Sequence, residues 1–256
     1  MEDLYPLVFE PIFKELVWGG ERLRSELGKA APAGRPIGES WELVDLAEAQ
    51  SVVSDGPLAG RQLQDLVRDF GGRLLGPVST DGGRFPLLVK YIDAARTLSV
   101  QVHPDEEAAA RLGGRPKSEA WYVLGVEPGA KLYLGLAPGT NSEQLERALE
   151  AGGVAELLKA VEPSPGDLVP VPPGTVHAIG EGILLAEVQQ PSDTTYRLYD
   201  WDRVGLDGKP RQLHVAESLQ AIRFGAGARI GSPSYDAGHF RIQARGGAYA
   251  DGALSL

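Results

Sequence analysis

Gly166-Asp167-Leu168-Val169-Pro170-Val171-Pro172-Pro173-Gly174-Thr175-Val176-His177 is the stretch whose reading decides the fold. It opens on a Gly-Asp turn, continues as an apolar strand rigidified by proline, and closes on a Pro-Gly turn immediately before a histidine. That order holds the imidazole at one fixed place in the mouth of a barrel. Short strand-like runs surround it, at residues 161–162, 167–171, 176–179, 183–190 and 194–199, each bounded by Gly or Pro. Closely spaced strands of this kind predict an antiparallel barrel or jelly roll.

A second stretch, Leu98-Ser99-Val100-Gln101-Val102-His103-Pro104, reads as a strand. Its period of two sends Leu98, Val100 and Val102 to one face and Ser99, Gln101 and His103 to the other. The Cα atoms of Gln101 and His103 then lie about 6.6 Å apart, two strand steps. Both side chains can reach one ion or one ligand.

The remaining pattern adds helices to this β framework. Residues 21–27, 58–70, 105–112 and 216–224 have helical spacing, and 141–158 does too, with Asn141 as its N-cap and Gly152-Gly153 dividing it. Val17-Trp18-Gly19-Gly20 reads as a turn, whereas residues 39–44, 87–92, 117–125 and 240–244 read as strands. In the 87–92 strand the apolar run is interrupted by Lys90, which on this segment alone is a snorkelling edge residue.

Composition narrows the function classes. The 256 residues are 43% apolar, with a mean hydropathy of -0.15, and carry no cysteine. A metal would therefore be held by His, carboxylate, amide or water, and the histidines number four: His103, His177, His214 and His239. A net charge of -10 and a pI near 5.0 argue against a broad nucleic-acid footprint. The N-terminus lacks a basic segment leading into an apolar one, and no run has the length of a membrane span, so a cytoplasmic protein with no membrane partner is expected.

The glycine, proline, glycine and histidine spacing of 166–177 resembles the second signature of the cupin superfamily, with Glu181 where cupins usually carry asparagine. The first cupin signature has His-x-His followed by glutamate; here its place is taken by Gln101-Val102-His103, with the glutamate delayed to Glu119 in Lys117-Ser118-Glu119-Ala120-Trp121-Tyr122. That variant of the cupin pattern resembles the type I phosphomannose isomerases. Trp18-Gly19-Gly20, Glu39-Ser40-Trp41-Glu42, Phe85-Pro86-Leu87-Leu88-Val89-Lys90 and the 187–197 run beginning Glu187-Val188-Gln189-Gln190 agree, in the same order. The resemblance covers residues 5–225.

The resemblance implies a mainly β cupin barrel with helical insertions, whose catalytic domain is 1–225 and whose 226–256 segment is a short beginning of a second β region. It implies one zinc ion per chain on Gln101, His103, Glu119 and His177, a donor set that zinc accepts. Two histidines and a carboxylate also describe ferrous oxygenase sites, but a fourth protein ligand fills a position that oxygen chemistry wants free. The implied reaction interconverts mannose 6-phosphate and fructose 6-phosphate by moving a proton between C1 and C2 through an enediol. It needs a Lewis acid, a base and a phosphate anchor.

Glu187 is the candidate base: it alternates with Gln189 on the polar side of an apolar strand, and the family has a functional glutamate there. Arg197 follows ten residues later, at the family's spacing, to meet developing negative charge. Lys117 shares a strand face with Glu119, and Lys90 is its companion in a local positive pocket for the phosphate. Tyr196 faces away from Arg197, and His214 and His239 are read as structural. A non-catalytic sugar-phosphate-binding cupin is the alternative; it would tolerate loss of Glu187 or Arg197. The edges of an incomplete second sheet would be coverable by a homodimer.

Overall fold

The computed structural model of the chain describes residues 4–78, 80–231, 234–236 and 241–243. His239 lies outside them. In chain order the strands are β1 (Ile12–Gly20), β2 (Ile37–Leu43), β3 (Asp45–Leu46), β4 (Ala49–Gln50), β5 (Leu88–Ala94), β6 (Val100–Val102), β7 (Glu119–Val126), β8 (Leu132–Leu136), β9 (Leu158–Val161), β10 (Leu168–Val171), β11 (His177–Ile179), β12 (Ile183–Gln189), β13 (Tyr196–Tyr199), β14 (Ser234–Asp236) and β15 (Arg241–Gln243). The helices are α1 (Arg22–Ser25), α2 (Leu63–Phe70), α3 (Gly72–Leu75), α4 (Glu106–Leu112), α5 (Ser142–Ala151) and α6 (Val215–Ala221).

Two antiparallel sheets face each other. One has the order β1-β2-β5-β12-β7-β10 and the other β13-β6-β11-β8-β9. Trp18, Ile92, Trp121, Val169, Val171, Ile183 and Leu185 of the first meet Leu132, Leu134 and Ile179 of the second in one core. The arrangement is the jelly-roll form of a cupin, mainly β with added helices. Among the described residues no ladder closes the two sheets into a continuous barrel. Among the described residues β14 and β15 pair only with each other, while Ala228, beyond α6, is buried in the inter-sheet core.

The outer faces are covered by the helical additions. Leu145 of α5, Ala108 of α4 and Ala221 of α6 pack on Val100, Val102, Ala178 and Leu198 of the smaller sheet. Leu23 of α1 packs on Ile37 and Leu184 of the larger. The caps explain two of these helices. Asp105 Oδ1 accepts from the Ala108 amide at 2.8 Å, with Glu106 and Glu107 in the first turn. Asn141 forms a reciprocal capping box with Gln144, and α5 ends at Gly152 with φ 77°. Asn141→Ala is expected to cost about 1 kcal/mol, read as a fall of about 2–4 °C in Tm, with no change in turnover.

The structure differs from the sequence pattern at several places. Val17 to Gly20 is not a turn but the end of β1, because Gly19 lies so close to β2 that a Cβ there would be 2.3 Å from the Gly38 nitrogen. Leu98 joins the inter-sheet core, whereas Val100 and Val102 face the helical layer. The alternation starts only with β6, since the Leu98 amide is committed to the Ile179 carbonyl. Lys90 is not on an edge: β5 lies between β2 and β12, and Lys90 is 6% exposed.

Candidate metal centre and active site

The alternation along β12 sets the site. Ile183, Leu185, Glu187 and Gln189 all face inward, so one end of the inter-sheet space is apolar and the other polar. Cross-strand register then gathers the polar end: Glu187 is opposite Lys90 on β5 and Trp121 on β7, and Gln189 is opposite Glu119. The facing sheet supplies the histidines. His177 on β11 is the direct partner of Gln101 on β6, and the Pro-Gly turn ahead of it is tied to the other histidine by Gly174 N donating to His103 O at 2.8 Å.

His103, Glu119 and His177 are each buried, and their ligand atoms lie within 4.8 Å of one another. Each imidazole uses Nδ1 on a backbone carbonyl, His103 on Thr194 and His177 on Thr175, both at 2.9 Å. A ring nitrogen at that distance from a carbonyl donates, so Nε2 of a neutral ring carries a bare lone pair. Burial, and for His103 the Lys117 ammonium, keep the rings neutral: His103 is pushed down to about 3 and His177 is lowered.

Those two lone pairs face a carboxylate. His103 Nε2 is 3.3 Å from Glu119 Oε2, and His177 Nε2 is 3.3 Å from Oε1. Burial would raise Glu119, but the Lys117 ammonium holds it well below the usual carboxylate range. Glu119 therefore stays anionic. Neither of its oxygens receives a hydrogen bond of good geometry, although Lys117 Nζ stands 2.8 Å from Oε2. Lone pairs converging on an anion are mutually repulsive unless a cation lies among them, and Lys117 Nζ reaches only the His103 and Oε2 flank of the cluster, leaving the His177 and Oε1 pair without one among the described residues. A tetrahedral ion at zinc's bond lengths wants donors about 3.3–3.6 Å apart, which the two imidazole-to-carboxylate separations of 3.3 Å meet. The residues present fit a metal.

Gln101 stands at the edge of this cluster, with its amide nitrogen 3.2 Å from His177 Nε2 and its oxygen 3.4 Å from Ser99 Oγ. A half-turn of the amide exchanges the two and brings its acceptor toward the donor atoms. Lys117 Nζ bridges the triad to Glu187, lying 3.2 Å from His103 Nε2 and 3.8 Å from Glu187 Oε1. Glu187 Oε2 accepts from Trp121 Nε1 at 2.9 Å. Burial and then the Glu119 charge push the Glu187 carboxyl up, against Lys90 and Lys117.

Arg197 is opposite Gln101 in the β13–β6 ladder, so it shares that face. It donates to Ser99 Oγ at 3.3 Å and to the Gln212 carbonyl at 2.8 Å. Asp200 pairs with Arg203 and Arg211 instead. Tyr196 is turned into the helical layer, His214 Nδ1 accepts from the Arg197 amide, and Glu181 is exposed at the β11–β12 turn. Trp121 was absent from the sequence expectations as a site residue, although its alternation with Glu119 placed it on the same face. The carbonyls of Thr175 and Thr194 have no sequence signal, since any residue supplies one.

The family model for the type I phosphomannose isomerase catalytic domain matches residues 7–122. Mannose-6-phosphate isomerase ManA of Bacillus subtilis is 44% identical over 219 residues, covering 85% of this chain and 68% of that protein. The chain belongs to the type I phosphomannose isomerase family. "Probable mannose-6-phosphate isomerase GmuF" of the same organism is 42% identical over 220 residues, again 85% of this chain and 68% of the relative. The crystal structure of the B. subtilis mannose 6-phosphate isomerase superposes with a TM-score of 0.81 at 33% identity, over 94% of this chain and 77% of that one. Among the described residues no helix is long and apolar enough to cross a membrane.

Proposed function

We propose that the chain is a zinc-dependent mannose-6-phosphate isomerase acting on a soluble sugar phosphate in the cytoplasm. One observation carries the metal reading: two neutral buried imidazoles, each fixed through Nδ1, bring unprotonated Nε2 atoms to 3.3 Å from the anionic Glu119. His103, Glu119 and His177 hold the ion, with the Gln101 amide oxygen as fourth ligand, and no sulfur donor is required. Zinc bound there supplies Lewis acidity toward the carbonyl and hydroxyl oxygens of the open-chain sugar.

The chain's own residues do the rest. Glu187 takes the proton from C2 of the aldose and returns it at C1, while the C2 hydroxyl loses a proton and the oxygen on C1 gains one, leaving the ketose. Its burial suits the task, because a carboxylate raised toward neutrality is a stronger base than an exposed one. Lys117, between Glu187 and the triad, is placed for the sugar oxygens on which negative charge develops. Arg197 has no carboxylate partner among the described residues, which suits it to the phosphate or to the enediolate charge.

The test is fructose 6-phosphate formation from mannose 6-phosphate, coupled to a dehydrogenase, on chelator-stripped protein with and without zinc. Stripped protein is expected to be inactive and zinc to restore turnover. Folded, stripped protein that still turns over, or that no divalent metal restores, sinks the proposal.

A further inference from the structure

Four side chains form one row across the larger sheet. Trp41, Lys90, Glu187 and Trp121 are direct cross-strand partners on β2, β5, β12 and β7. Their polar ends meet at the carboxylate of Glu187, each oxygen held from a different neighbouring strand. Oε2 accepts from Trp121 Nε1 at 2.9 Å. Oε1 lies 3.1 Å from Lys90 Nζ, an ion pair whose angle falls short of a directed hydrogen bond.

Lys90 is itself fixed. Its ammonium is 3.7 Å from Glu39 Oε2, which also accepts from Trp41 Nε1 at 2.6 Å, and it stands 5.8 Å from the centre of the Trp41 ring. With 6% of its surface exposed, it cannot swing toward a ligand outside without taking its charge away from the buried Glu187 and the half-buried Glu39. Trp121 is fully buried and its ring meets His177 edge-on at 5.6 Å, so its N–H has one fixed direction. The bond from Trp121 occupies Oε2. Oε1 keeps a free lone pair and is the oxygen turned toward Lys117 and the triad.

We propose that Lys90 and Trp121 are positioning residues for Glu187: they fix its carboxylate so that Oε1 carries the proton, and Lys90 takes no part in holding phosphate. The inference rests on the reading of Glu187 as the proton-transfer group. The charged and titratable groups around Glu187 are Lys90 with Glu39 behind it, Lys117 and Glu119 from the β7 side, Asp193 beyond β12, and His103 and His177 from the facing sheet.

The test uses the zinc-loaded full chain as Lys90→Met, Lys90→Arg and Trp121→Phe, with the unaltered chain and Glu187→Gln as references. Measured are kcat and KM across pH, inhibition by inorganic phosphate, and metal per chain. Lys90→Met is expected to lower kcat about 10- to 100-fold, with KM and the phosphate inhibition constant within about twofold and metal unchanged. Its acid limb of kcat moves to higher pH, because a buried carboxylate stripped of its cation protonates more readily. Lys90→Arg restores most of kcat. Trp121→Phe moves the same limb in the same direction by less, and decides the matter alone if Lys90→Met does not fold. An unmoved limb in Trp121→Phe overturns the proposal. So does a Lys90→Met protein with unchanged kcat but KM and phosphate inhibition weakened about tenfold. Failure of the underlying reading shows separately, as a Glu187→Gln protein that still turns over.

Discussion

His103→Ala is expected to abolish metal binding and isomerase turnover together, and Glu119→Ala to do the same at a higher structural cost. Each triad member supplies one of the three strong donors of a four-ligand set completed by the weaker Gln101 amide, and removing one leaves two of them, with water in place of the third. The two variants differ in what they leave behind. Without the His103 ring, Glu119 keeps Lys117 at 2.8 Å, so the buried charges stay paired. Without Glu119, the Lys117 ammonium is left with Glu187 at 3.8 Å, and breaking a buried pair costs about 3–5 kcal/mol. His103→Ala is therefore the cleaner experiment. Metal per chain and the rise in Tm on adding zinc are the measurements. In the unaltered chain, zinc at a thousandfold its Kd stabilises by about 4 kcal/mol, and that rise should vanish in the variant. A variant that keeps its metal through chelation, or keeps full turnover without it, shows that the ion is held elsewhere.

The site was legible in the sequence to the extent that alternation alone decides facing. Gln101 and His103, Lys117 and Glu119, and Glu187 and Gln189 share faces because residues two apart on a strand must, and the spacing of Pro, Gly and His located His177. What alternation cannot reveal is which strand lies beside which. Lys90 read as an edge residue because nothing in Leu88-Val89-Lys90-Tyr91 shows that β5 sits between β2 and β12. Only the register puts it opposite Glu187, and Trp121 on the other flank. The same blindness applies to glycine. Gly19 and Gly20 carry a turn's composition, yet they are needed for the close approach of β1 to β2 and to the Asp93 carboxylate.

Leu132 to Leu136 shows a further limit. This strand supplies Leu132 and Leu134 to the core between the sheets, but it is five residues long and contains Gly135 at φ 100°, between the turns at Gly129 and Gly139. Its residues, Leu-Tyr-Leu-Gly-Leu, are apolar, but so short a run interrupted by glycine carries no decisive period of its own. Its place is decided by β11 and β9 on either side, which pair with it and bury it. Tertiary context thus made the strand, and the interior made the site: the same inward alternation that carries Ile183 and Leu185 into the core carries Glu187 and Gln189 to the polar end.

Glu187→Gln is expected to keep the metal and lose turnover, with kcat down about 10²- to 10⁴-fold. The amide has the shape of the carboxylate and still offers an oxygen to Trp121 Nε1, but it cannot accept the C2 proton. The structural cost is contained, since burial already pushes the Glu187 carboxyl up, so its ionised form is held at some expense. The substitution removes that expense together with one of the carboxylates facing Lys90, whose Glu39 contact remains. The proposed zinc ligands are other residues, so the metal stoichiometry and the zinc-induced rise in Tm should match the unaltered chain. Proton exchange separates a base from a binding residue. In deuterated water, the unaltered chain should wash deuterium into C1 and C2 of the sugar phosphates, and Glu187→Gln should not, even at saturating substrate. If deuterium still enters at the normal rate, another group moves the proton; if exchange and KM both fail while a single saturating dose of substrate rescues turnover, Glu187 binds the sugar rather than acting on it.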